Sequence, residues 1–87
     1  MIKHVYALRD KKLQCYEPPH FTDDDTKTTL AKTFRALKLL DPKEAPRAKD
    51  MALYYLGKFD DETGKFELLE HEEKLIDYED YLVKEVS

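Results

Sequence analysis

Ala52-Leu53-Tyr54-Tyr55-Leu56-Gly57-Lys58-Phe59-Asp60-Asp61-Glu62-Thr63-Gly64-Lys65-Phe66-Glu67 reads as two strands joined by an acidic loop that ends on glycine. Aromatic and aliphatic residues flank Asp60 to Gly64 with partial alternation, and Gly64 supplies the positive φ that a hairpin loop of about five residues commonly needs. Asp60-x-Glu62-x-Gly64 has a passing likeness to a calcium loop. Counted from Asp60, however, His71 stands where the bidentate glutamate belongs and the glycine falls one place early. The stretch is a hairpin.

Upstream, Ile2 to Arg9 reads as a strand, with Leu13 to Glu17 as its partner across Asp10-Lys11-Lys12, because Leu13 and Cys15 alternate with Gln14 and Tyr16. Pro18-Pro19 ends that pairing, since neither residue donates to a ladder. Asp23 to Leu40 is expected to form one long amphipathic helix. Leu30, Phe34 and Leu37 make its apolar stripe, Thr22 or Asp23 caps it, and Asp24 and Asp25 complement its positive end. Lys27, Lys32, Arg35 and Lys38 fall within one arc of about 140° away from Leu30 and Leu37, a basic outer face. Asp41-Pro42 stops the helix, and Pro42 to Asp50 reads as a surface connection. After the second hairpin, Asp77 is placed as an N-cap with Ile76 and Tyr81 as a hydrophobic staple, opening a short helix from Tyr78 to about Lys84. The order β-β-α-β-β-α implies an α+β fold: an antiparallel sheet of two hairpins, the long helix on one face and a short C-terminal helix.

At 87 residues the chain is expected to be a single domain, 1–87, small enough that a homodimer interface is an expected source of further burial. Its one cysteine, Cys15, excludes an intramolecular disulfide and suits a reducing cytoplasm; no stretch is a cleavable signal or a membrane span. Residues 1–50 carry 11 basic and 8 acidic side chains and residues 51–87 carry 4 and 11, so a front of +3 precedes a rear of −7. Such asymmetry points to nucleic-acid or charged-protein partners, or to a solvated surface that keeps a small domain soluble.

Catalytic and metal chemistry find little support. His71-Glu72-Glu73-Lys74-Leu75 begins like a zinc-protease helix but has leucine where the second histidine belongs, and His4, His20 and Cys15 lack ligand spacing. Two glycines cannot make a phosphate loop. Hence no catalytic residue, cofactor or metal is assigned. Tyr6, Tyr16, Tyr54 and Tyr55 lie on expected strands, where they either fill the core or stack bases beside Lys and Arg.

Met1-Ile2-Lys3-x-Val5-Tyr6-Ala7-Leu8-Arg9-Asp10, Tyr16-x-x-Pro19-x-Phe21 and Ala52-Leu53-Tyr54-x-Leu56-Gly57-x-Phe59-Asp60-Asp61-x-Thr63-Gly64-x-Phe66, with a helix centred on Phe34 between them, together resemble the small nonstructural protein of gokushoviruses, microviruses with single-stranded DNA genomes. The resemblance implies a noncatalytic accessory protein in the cytoplasm of the infected bacterial host, acting in genome replication or packaging by binding DNA. On that reading Arg9, Lys11, Lys12, Lys27, Lys32, Arg35 and Lys38 neutralise phosphates, and Tyr6 or Tyr16 stacks bases of single-stranded DNA. The alternative is a protein-interaction module whose strand edge or acidic tail holds a replication, capsid-assembly or host factor without touching DNA. Neither reading calls for a membrane.

Overall fold

A computed structural model describes residues 1–38 and 45–81. The chain runs β1 (Ile2–Asp10), β2 (Cys15–Tyr16), β3 (His20–Thr22), α1 (Thr26–Lys38), α2 (Ala45–Ala48), β4 (Met51–Asp60) and β5 (Lys65–Asp77), and residues 78–81 begin a further helical turn. All pairings are antiparallel: β1 and β4 are central, β5 borders β4, and β2 and β3 share the free side of β1.

The expected hairpin is present. Asp60 pairs with Lys65 across the turn, the Gly64 amide donates to the Asp60 carbonyl at 2.7 Å, and Gly64 takes φ 74°. The α+β expectation is corrected. Among the described residues strands account for 51% and helices for 25%, and the sheet curls into half a barrel, so the fold is mostly β with the helices against one face. The long amphipathic helix over Asp23 to Leu40 does not form: α1 spans 13 residues. Asp25 is its N-cap, the Thr28 amide donating to Oδ1 at 2.7 Å, while Thr22 Oγ1 accepts from Asp24 in the turn before it. Leu39, Leu40 and the Asp41-Pro42 stop lie outside the described residues.

Two further strand assignments change for identifiable reasons. Pro18-Pro19 interrupts rather than ends the pairing, because an edge strand can leave its missing donors facing solvent and resume beyond them. β3 resumes opposite His4, Val5 and Tyr6. β5 continues far past Glu67 although it is rich in Glu and Lys, a composition that belongs to an outer edge strand wet on its exposed side. Within the connection taken as irregular, Ala45–Ala48 makes a helical turn that carries Pro46 in its first turn, where the missing amide costs nothing.

Gly57 is where backbone geometry dictates the residue. Its φ is 146°, and a Cβ there would sit 2.3 Å from the Glu67 carbonyl oxygen and 2.8 Å from Leu68 Cα. β4 and β5 approach closely at this point because the register slips: Tyr55 faces Glu73 while Gly57 faces Leu68. Leu56 therefore opposes the four-residue bulge Leu69-Glu70-His71-Glu72.

The core lies on one face of the sheet. Tyr6, Met51 and Leu53 meet Phe34 and Leu37 of α1, Ala48 of α2, and Tyr78, with Leu8, Leu30, Tyr55, Leu75, Ile76 and Tyr81 around them. Phe34 touches both Tyr78 and Tyr81 through its ring, at centroid distances of 5.4 and 4.9 Å. The helical turn starts at Tyr78 as expected, while the Asp77 carboxylate meets Lys74 at 2.8 Å and Lys11 at 2.9 Å. Leu82, Lys84 and Val86 lie outside the described residues.

Candidate nucleic-acid interface

Antiparallel partners directly opposite one another point to the same face, so the register identifies the face that α1 does not cover. On β1 it carries Lys3, Val5, Ala7 and Arg9. Their neighbours are Phe59, Gly57, Tyr54 and Ala52 on β4, and Phe21 and Tyr16 on β3 and β2. β5 adds Phe66, Leu68, Lys74 and, opposite Ala52, Asp77, whose carboxylate holds the Lys74 ammonium at 2.8 Å. Val5, Ala7 and Ala52 are buried even here, because they form a floor of small side chains beneath larger neighbours.

Those neighbours form two aromatic groups. Phe21, Phe59 and Phe66 enclose one another, with centroid separations of 5.2, 4.8 and 6.0 Å. Phe66 nevertheless keeps 53% of its surface exposed, and the adjacent Leu68 keeps 64%. At the other end Tyr16 stands edge-on to Tyr54 at 5.6 Å, and the Arg9 guanidinium lies 4.9 Å from the Tyr16 ring centroid. Partial burial, then the Glu72 carboxylate, push the Tyr16 hydroxyl above its ordinary pKa. Tyr16 thus stays a neutral, half-exposed ring with a cation on it.

The residues expected from the sequence are divided by this architecture. Arg9 and Tyr16 come together on the open face. Lys11 reaches Asp77, whereas Lys12 is exposed in the β1–β2 turn. Lys27, Lys32 and Arg35 project from α1 on the other side of the sheet, and Lys32 is bound to Asp24 at 2.8 Å. Lys38 closes α1, its side chain outside what the structure describes. A single basic surface made of all seven cations is therefore not present. Tyr6 is also withdrawn: it is 1% exposed and its hydroxyl is 3.1 Å from Thr26 Oγ1, leaving no ring face for a base. Cys15 is exposed.

Phe21, Phe59 and Phe66 were missed as interface candidates. Alternation across Phe59 and Phe66 placed both beside the turn, but only the β3 pairing, hidden behind the two prolines, brings Phe21 onto them. Among the described residues no cluster of His, Cys, Asp or Glu is placed to hold a metal ion, and no helix is long and apolar enough to cross a membrane.

A family profile described as Phage ORF5 protein matches residues 3–81. The chain belongs to the phage ORF5 protein family. That match runs from Lys3 in β1 to Tyr81, so the open face of this ORF5 protein lies within the matched residues. No curated protein and no solved structure matches the chain.

Proposed function

We propose that this ORF5 protein is a noncatalytic accessory protein of a gokushovirus-type phage, which binds single-stranded DNA through the open sheet face in the host cytoplasm. The observation that carries the reading is the pairing of half-exposed aromatic rings with a cation on one face: Arg9 on Tyr16 beside Tyr54, and the Phe21, Phe59 and Phe66 group beyond. Bases stack on such rings irrespective of sequence, while cations follow the backbone. Arg9 and Lys12 take the phosphates in this account. Lys27 and Arg35 lie on the far side, and contribute only if the strand wraps around the molecule.

Binding of labelled oligothymidylate across a salt series tests it. Stacking on one ring is worth about 1–3 kcal/mol per base, so Tyr16→Ala and Phe66→Ala each weaken binding by about 5- to 150-fold. The logarithmic salt slope is about −0.7 per phosphate contact, giving roughly −1.5 for Arg9 and Lys12 together. Undiminished affinity in both variants, or a flat salt response, refutes the reading.

The second reading, a protein-interaction module, draws on β5, whose bulge and neighbours carry Glu67, Glu70, Glu72 and Glu73 on an exposed edge. On that account Glu70→Lys with Glu73→Lys abolishes capture of a basic replication or assembly protein, and Tyr16→Ala does not.

A further inference from the structure

The cleft between β3 and α1 has no part in the open sheet face. It is an open cleft of about 260 Å³ lined by His20, Thr22, Asp24, Thr29, Lys32 and Thr33. Thr29 is 3% exposed, and its hydroxyl has no hydrogen-bond partner among the described residues. Buried hydroxyls are ordinarily satisfied, so Thr29 brings an unmet hydrogen bond to the cleft wall.

The charges narrow the class of partner. Lys32 is neutralised by Asp24 at 2.8 Å, and burial lowers the His20 pKa, favouring its uncharged ring. A phosphate would meet the Asp24 carboxylate, and a metal ion would meet the Lys32 ammonium. What the walls do offer is a set of neutral donors and acceptors: three threonine hydroxyls and an imidazole, with one carboxylate and one ammonium as a matched pair. His20 also stacks on Tyr6 with centroids 6.2 Å apart and 24° between planes, so the wall already holds one planar ring against another. The volume lies just below the range usual for drug-sized ligands, which suits one ring with its sugar rather than a polymer segment.

We infer that this cleft binds a single nucleobase, held by Thr29 and the Asp24–Lys32 pair along its hydrogen-bonding edge. The inference rests on the proposed engagement of single-stranded DNA and extends it to a second station. β3 is the wall shared by the two stations: Phe21 projects to the open face, while His20 and Thr22, its neighbours in sequence, project to the cleft. A strand lying on Phe21 can thus turn one base over the sheet edge.

Nuclear magnetic resonance titration of the full chain with thymidine, deoxyadenosine and inorganic phosphate, alongside oligothymidylate, tests this. A nucleoside should shift the signals of His20, Thr29 and Thr33. Thr29→Val, which keeps the shape and removes the hydroxyl, should weaken that binding about five- to tenfold, with Thr33→Val as a second probe should the first variant fold poorly. Tyr16→Ala should leave nucleoside binding unchanged. Shifts from inorganic phosphate alone, or equal nucleoside affinity in both threonine variants, overturn the inference. Oligothymidylate binding that depends on Tyr16 without any nucleoside shift rejects the cleft and spares the sheet face. Nucleoside shifts without oligonucleotide binding reject the sheet-face reading and leave the cleft as a site for a free nucleoside.

Discussion

Replacing Gly57 by alanine probes the crossing on which the sheet's outer half depends. At φ 146° a side chain occupies a backbone region that L-residues rarely adopt, at a cost of about 1–3 kcal/mol. The added Cβ also falls 2.3 Å from the Glu67 carbonyl oxygen. Bringing that contact to 3.0 Å requires β5 to retreat by about 0.7 Å, and because the obstacle is backbone no rotamer change relieves it. Strain of this kind in a packed region costs about 1–3 kcal/mol more. A total of about 2–6 kcal/mol compares with about 4–13 kcal/mol of stability for a domain of this length. At about 4–8 °C per kcal/mol, Gly57→Ala should lower the midpoint of thermal unfolding, followed by circular dichroism, by about 10 °C or more. Gly64→Ala is the matched control. Gly64 also has positive φ, 74°, but a Cβ there meets nothing within 4 Å, so only the conformational cost of about 1–2 kcal/mol applies. A Gly57→Ala midpoint within about 2 °C of the parent, or no lower than that of Gly64→Ala, would refute the close-approach argument.

Gln14 adopts φ 57° in the β1–β2 turn, so Gln14→Gly should stabilise the protein by about 0.5–1 kcal/mol in urea unfolding, the relief of left-handed strain exceeding glycine's entropy cost. Asp10 is buried, and its Oδ1 accepts from the Lys12 and Leu13 amides, both at 3.0 Å. Asp10→Ala should therefore cost about 1–3 kcal/mol by orphaning those donors, read in the same denaturant series. Burial lowers the His20 pKa from 6.5, so the unfolded chain binds its proton first. The contribution to stability is complete above pH 6.5 and is lost as pH falls through the folded value, a loss that His20→Gln should remove from the pH dependence of the melting midpoint. Asp77 behaves as an acid-side counterpart: Lys74 first, then Lys11, lowers its pKa below 3.8. Its contribution is present above pH 3.8 and disappears on further acidification, and Asp77→Asn should flatten that limb.

The central hairpin was legible because two independent local signals agreed, apolar alternation and a loop ending on glycine. The β1 assignment was legible for the same reason. Charge misled the reading of β5: Glu67 to Lys74 carries no period-2 apolar pattern, since an edge strand opposite a bulge has few buried positions to advertise. The proline pair misled the reading of β3, since proline reports the loss of a donor and not whether the edge needed one. The error in the interface was of a different kind. Helical periodicity did place Lys27, Lys32 and Arg35 on one arc, yet which side of the sheet α1 covers depends on tertiary packing by Phe34 and Leu37. The helix covers the face opposite Arg9 and Tyr16, and a wheel diagram holds no information on that choice.

The bulge at Leu69 to Glu72 bears on how the molecule behaves in a crowd of its own copies. A straight rim of thirteen residues would invite a neighbour's backbone to zip along it and then recruit another, the beginning of an insoluble fibre. With the rim broken after Leu68, a visiting strand finds about four rungs and then a crest of carboxylates. The same irregularity that holds Gly57 in its unusual conformation shortens the straight run that a long ribbon offers to its neighbours.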